Sequence, residues 1–144
     1  MRWVGTAGPD VDWEGTMGKP IVAIDVSGVR EGRLEDVRSA IRELAVFVDA
    51  NEPTPILYNA YLDGSSNQLT VIQVHPDSAS LEQHMRIAGP AFPKFTELIR
   101  MQSMDVYGEP SPSLLRLLRQ KAEMLGRIPV TVHTRDAGFD RFDT

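Results

Sequence analysis

The sequence predicts a single α+β domain in the order strand, helix, strand, strand, helix, strand, and three observations carry this. Ile21–Val29, Ile56–Leu62 and Gln68–His75 are rich in β-branched and aromatic residues, and the last two flank the turn-forming run Asp63-Gly64-Ser65-Ser66-Asn67. Leu34, Val37, Ile41, Leu44, Ala45 and Val48 recur at three- and four-residue steps, the apolar stripe of a helix between the first two strands. His75-Pro76-Asp77 closes the third strand, and a helical pattern carrying Leu81, His84 and Met85 follows at once. This order is the split β-α-β of a ferredoxin-like unit.

The elements follow from local chemistry. The first strand leaves through Gly28, and Arg33, Glu35, Asp36, Arg38, Arg42 and Glu43 fill the outward face of the first helix. Asn51-Glu52-Pro53-Thr54-Pro55 stops that helix, because proline lacks a donor and restricts the residue before it. Alternation sets Tyr58 and Ala60 on one side of the second strand, with Asn59 and Tyr61 on the other. In the third strand Val71, Gln73 and His75 oppose Thr70, Ile72 and Val74. The second helix begins near Ser78–Ser80, where Ser80 and Gln83 have capping-box spacing. Gly89-Pro90 interrupts it, and it resumes after Pro93 with Phe95, Leu98 and Ile99 on one face. Met101–Tyr107 is the fourth strand, ended by Gly108-Glu109-Pro110. Ser111-Pro112 reads as the N-cap and first residue of a third helix with Leu114, Leu115, Leu117, Leu118, Ala122 and Leu125, stopped at Gly126. Ile128–Thr134 is a short fifth strand, and Arg135–Thr144 is polar apart from Phe139 and Phe142.

Composition bounds the function. The 144 residues make one compact domain, divided into a flexible leader (1–19), a core (20–109) and a helix–strand extension of the same domain (110–144). Lys+Arg 15 against Asp+Glu 20 gives a net charge of −5, and the basic residues are scattered among acids and leucines. Nucleic acid needs a concentrated basic face, so no nucleic-acid partner is predicted. Absence of cysteine excludes disulfides, thiolate metal sites and a cysteine nucleophile. No apolar run approaches the roughly 20 residues that span a bilayer, so no membrane partner is predicted. Met1–Lys19 mixes Trp3, Asp10, Asp12, Trp13 and Glu14 with glycines, unlike a signal peptide, and a cytoplasmic protein is the expectation. Met17 stands as an alternative start, and Trp3 and Trp13 as residues that either dock on the domain or contact a partner.

His84 is the first candidate for chemistry. On a helix with Leu81 and Met85 it lies on or beside the apolar face, where an imidazole either moves a substrate proton near neutral pH or serves as a satisfied core histidine. Gln73 and His75 share a strand face and join His84 in lining one polar spot. A metal site is not predicted: only three histidines exist, His133 lies on the extension, and no carboxylate has ligand spacing. Tyr58 offers apolar area with a hydroxyl to orient a substrate, or an ordinary sheet residue. Asn59 among apolar neighbours is a pocket residue or a solvent-facing edge residue. Met85, Phe92, Phe95 and Met104 wall an apolar chamber or fill the core. The charged faces of the first and third helices read as solvated surface. No phosphate loop, dinucleotide fingerprint or serine elbow is present.

The Tyr58-bearing strand, Val71-Ile72-Gln73-Val74-His75-Pro76-Asp77, Leu81, His84, Phe92 and Phe95 together resemble the antibiotic-biosynthesis-monooxygenase family, over roughly Ile21–Gly108. Members usually carry an acid in the alternating strand, an aromatic two positions on, and a histidine on the next helix. Here Gln73 and His75 stand in the first two places, and His84 matches the third. The resemblance implies a homodimer whose two sheets form an α+β barrel, with a pocket between each sheet and its helices. Some relatives oxidise phenolic or quinol-like compounds with molecular oxygen and no cofactor, and others degrade haem. Two functions follow as expectations. One is a cofactor-independent monooxygenase of a small aromatic or quinol-like compound, in which His84, helped by Asn59 or Tyr58, removes a proton. The other is a non-catalytic dimeric ligand-binding or accessory protein.

Overall fold

The computed structural model describes residues 19–142; the expectations for Trp3, Trp13 and Met17 lie outside them. β1 (Ile21–Val29) takes the centre of the sheet. Its alternation buries Ile21, Ala23, Asp25 and Ser27 on one face and leaves Val22, Ile24 and Val26 half-buried on the other. It pairs antiparallel on both sides. β3 (Gln68–His75) sets His75 opposite Ile21 and Gln68 opposite Gly28, and β4 (Ile99–Tyr107) sets Tyr107 opposite Val22 and Ile99 opposite Val29. β2 (Leu57–Asp63) lies outside β3, and the four-residue β5 (Val130–His133) runs parallel outside β4, giving the order β2-β3-β1-β4-β5. This is a ferredoxin-like α+β sheet with one strand added.

α1 (Leu34–Asn51), α2 (Ser78–Ala88) and α3 (Pro112–Gly126) bury their apolar stripes against one face of that sheet. Val37, Ile41 and Leu44 from α1, Leu81 and Met85 from α2, and Leu114 and Leu118 from α3 join Ile21, Ala23 and Val71 in one core. The register between β1 and β4 shifts at Val26/Ser27, so that Gln102 is an extra residue. Without that bulge Met101 and Met104, three residues apart, would face opposite ways; with it both are buried. No helix among the described residues is long and apolar enough to cross a membrane.

Several boundaries differ from the sequence reading. α2 is capped by Asp77, whose carboxylate accepts the Ser80 N–H at 2.9 Å, because the Ser80 hydroxyl turns inward instead. The helix does not resume as α after Pro93. Gly89–Glu97 is a 3-10 segment, since Pro90 and Pro93 remove two donors that an α-helix needs. Leu98 therefore sits in a turn, and Ile99 already belongs to β4, two residues before the expected start. β2 begins and ends one residue later than the apolar run suggested.

Ser111 caps α3 as predicted, accepting the Leu114 N–H at 3.1 Å. At the other end the left-handed residue is Arg127 (φ 53°, ψ 46°), and Gly126 is the last helical one. Packing explains this glycine: a Cβ there would run into the backbone carbonyl oxygen of Met101 in β4. Gly126→Ala should therefore lower stability in urea unfolding by about 1–3 kcal/mol, the range for overpacking. Arg127→Gly, which relieves a positive φ, should leave stability unchanged or raise it. Equal effects of the two substitutions would contradict this packing.

Candidate functional site

The period of a strand forces polar groups into the core here. In β1 the inward positions are Ile21, Ala23, Asp25 and Ser27, so Asp25 is carried under the helices and is only 4 % exposed. The same alternation brings Gln73 and His75 from β3 to this face, with Tyr58 of β2 directly opposite Gln73. From above, α2 lowers His84 between Leu81 and Met85, the end of α1 delivers Glu52, and α3 delivers Lys121.

His84 and Glu52 form the tightest pair. The imidazole Nδ1–H donates to Glu52 Oε1 at 2.8 Å, with Oε2 at 3.1 Å, and the two side chains are 0 % and 1 % exposed. A carboxylate accepts, so the proton belongs on Nδ1 and the lone pair on Nε2. That Nε2 is buried and has no hydrogen-bond partner. Glu52 is held for this task by its backbone, whose N–H bonds Val48 O at 2.9 Å and caps α1. Rings surround the imidazole: Tyr58 at 5.3 Å, His75 at 6.0 Å and Phe92 at 6.1 Å between centroids. Burial pushes the His84 pKa down, the Glu52 bond opposes this, and the nearby Lys121 ammonium adds to the fall.

His75 is satisfied on both sides. Its Nε2–H donates to Gln73 Oε1 at 2.9 Å, and its Nδ1 accepts from the Ser80 hydroxyl at 2.7 Å. Ser80 Oγ in turn accepts from Thr54 Oγ1, also at 2.7 Å. This closed chain leaves His75 no free atom for chemistry, and burial with the neighbouring His84 pushes its pKa from 6.5 to about 4. Between β1 and α3, Lys121 Nζ stands 3.9 Å from Asp25 Oδ2 and 4.4 Å from the centroid of the Phe92 ring. Burial raises the Asp25 pKa, with Lys121 and His84 pulling the other way. Burial, then the charges of Asp25 and Glu52, hold the Tyr58 hydroxyl well above its ordinary pKa, so it is a donor and not a phenolate.

The structure thus brings Tyr58, Gln73, His75, His84 and Phe92 together. Met85 is buried in the α2 core beside His84. Asn59 does not join them: it is exposed on the opposite sheet face, where its Nδ2 donates to the Tyr61 hydroxyl at 3.2 Å. Asp25, Glu52 and Lys121 are the residues that the sequence reading missed. Two of them carried a signal. Asp25 falls on the inward beat of an alternating strand, and Lys121 continues the Leu114, Leu118, Leu125 stripe, so that its helix face is buried and not solvated as expected. Glu52 carried none, because only tertiary contact joins it to His84. Among the described residues no group of three or more His, Asp or Glu is placed to hold a metal ion.

A scan against protein-family models finds no match, and a search of curated proteins finds none. Solved structures do match. MupZ from Pseudomonas fluorescens superposes with a TM-score of 0.67 at 19 % identity over 87 % of this chain and 91 % of its own. SnoaB from Streptomyces nogalater, described as a cofactor-independent oxygenase, gives 0.54 at 14 % identity over 65 % and 96 %. A Caulobacter crescentus protein provisionally described as an antibiotic biosynthesis monooxygenase gives 0.52 at 16 % identity over 66 % and 92 %. The chain therefore has the ferredoxin-like α+β fold of the antibiotic-biosynthesis-monooxygenase type.

The two lowered histidines set a pH dependence. Below pH 6.5 the unfolded chain binds protons that folded His75 and His84 refuse, so their contribution is complete above that pH. It is lost as pH falls toward about 4, by at most about 3 kcal/mol for His75. Asp25, with its raised pKa, acts in the opposite sense, costing stability as pH rises above 3.8. Melting temperature should fall between pH 7 and 4, and fall less steeply in His75→Gln. Parallel slopes would mean that folded His75 takes up its proton as readily as in the unfolded chain.

Proposed function

We propose that the chain is a cofactor-independent oxygenase of a small aromatic or quinol-like compound, with His84 as general base. One observation carries this: a buried imidazole whose Nδ1–H is fixed on Glu52 and whose Nε2 has no partner. That is the arrangement of a base waiting for a proton, with a carboxylate to stabilise the imidazolium. Nε2 removes a proton from an acidic C–H flanked by aromatic rings, giving an electron-rich anion. The anion passes one electron to molecular oxygen, and the radical pair closes a C–O–O bond. The imidazolium returns its proton to the distal oxygen, and loss of water from the hydroperoxide leaves a carbonyl. One oxygen atom stays in the product, and the other departs in water with the two hydrogens of the original CH2. Tyr58, whose ring centroid is 5.3 Å from that of His84, donates to the developing oxyanion, while Phe92 and the 3-10 segment Gly89–Glu97 keep water from His84. The shared fold with SnoaB supports the reading.

His84→Ala should lower turnover of an anthrone-type substrate by about 100-fold or more with the fold intact. Unchanged turnover would sink the base assignment. Full enclosure of His84 among three rings favours a second reading, a non-catalytic ligand-binding or accessory protein in which this histidine is packing. That reading gains if no oxygenation is found and His84→Ala costs about 1–3 kcal/mol in melting, since Glu52 is then left unpaired.

The same proposal includes a homodimer. The helices lie on one face of the sheet, and the other presents Val22, Ile24, Val26, Ile72 and Val74, all half-buried. A second copy packed face to face would remove this apolar area from water. Light scattering at micromolar concentration should give twice the chain mass, and a stable monomer would refute the barrel.

A further inference from the structure

The solvent side of α3 carries an open groove of about 690 Å³, lined by Pro112, Arg116, Arg119, Gln120, Glu123 and Met124. All six residues are exposed, and Met124, at 45 %, gives the groove an apolar patch. Its positive charge is poorly answered within the domain. Arg116 has the Glu82 carboxylate nearby, but that group is already held by the Ser113 and Ser111 hydroxyls. Arg119 makes no ion pair among the described residues. Arg127 follows at the helix end, and Glu123 is the one acid on α3. Arginines around an apolar patch suit a segment that presents a large apolar side chain flanked by acids.

This chain carries such a segment. Asp10-Val11-Asp12-Trp13-Glu14 sets a tryptophan among three acids, ahead of β1. The entry to β1 lies beside the start of α3, since the Pro20 carbonyl oxygen packs against Gly108, four residues before Pro112. The seven residues from Trp13 to Pro20 can span up to about 24 Å. The 15 residues of α3 rise about 22 Å, so Trp13 can reach any part of the groove. A tether this short gives an effective concentration of order millimolar, and a weak attraction is then enough to fill the site.

We propose that the groove on α3 is the docking site of the chain's own N-terminal segment, with Trp13 on Met124 and with Asp12 and Glu14 paired to Arg116 and Arg119. Docking takes the indole out of water and sets it against a thioether and two guanidinium stems. Each exposed ion pair adds little alone, so the contact depends on both pairs and the ring together. None of this depends on the oxygenase reading.

The test uses the full chain. Its two tryptophans, Trp3 and Trp13, both precede β1, so with Trp3→Phe the tryptophan fluorescence reports on Trp13 alone. That chain should emit to the blue of its value in urea and should resist quenching by acrylamide. Arg116→Glu combined with Arg119→Glu, at exposed positions away from the core, should move the emission to the urea value and remove the protection. Adding Asp12→Lys and Glu14→Lys to that variant should restore both, which a chain that had failed to fold would not do. Emission at the urea value before any arginine is changed, or a blue shift that the two charge reversals leave in place, would overturn the proposal. A blue shift that fades on dilution would also overturn it, by assigning the groove to the segment of a second copy.

Discussion

The bond between Glu52 and His84 ties the end of α1 to α2 inside the core, and the Thr54–Ser80 bond beside it joins the same two segments. An imidazole taken fully out of water loses hydration that it must recover locally, and a carboxylate taken out with it loses more. Each supplies what the other needs, and the requirement that they meet within 2.8 Å fixes where α1 ends and how α2 lies over the sheet. Pro53 keeps α1 from running on, and the Val48 carbonyl holds the Glu52 N–H, so the carboxylate arrives from a rigid helix end and not from a loop. Precision of this kind is what proton transfer demands, because a displacement of an ångström is enough to spoil it.

Around that bond the cluster separates two histidines that the sequence makes look alike. His75 has a hydroxyl on one nitrogen and an amide oxygen on the other, and its charge is suppressed as far as about pH 4. It behaves as a rigid polar strut between β3 and α2. His84 has only one of its nitrogens engaged. The two rings lie side by side at 6.0 Å, and His84 helps to hold down the protonation of His75.

Most of the architecture was legible because it rests on local periods. Alternation in β3 placed Val71, Gln73 and His75 on the buried face, and the helical stripe of α1 matched its buried positions Val37, Ile41, Leu44 and Val48. The segment after Ala88 was misread because apolar spacing at Phe95, Leu98 and Ile99 mimics a helix, while the missing donors of Pro90 and Pro93 decide the backbone. The candidate site was half legible. His84, Tyr58, Gln73 and Phe92 were found, yet Asp25 and Lys121 were passed over as ordinary charges although strand and helix periods both turn them inward. Glu52 lies 32 positions from its partner, and a contact of that range leaves no trace in local pattern.

The central place of β1 has a consequence for how the chain acquires its shape. The strand made first is the one that needs two later neighbours, β3 and β4, and the second of these pairs Val29 with Ile99. Contacts so distant close large loops before they return any stabilisation, which slows folding relative to a chain built from hairpins. On a ribosome, β1 would emerge with its N–H and C=O groups unmatched on both edges, while β2 and β3 can already form their hairpin. Until β4 has been synthesised, one edge of the strand remains open, and with it the inward row that ends in Asp25 and Ser27. The nascent chain is therefore most exposed to mispairing and to chaperone capture over that interval.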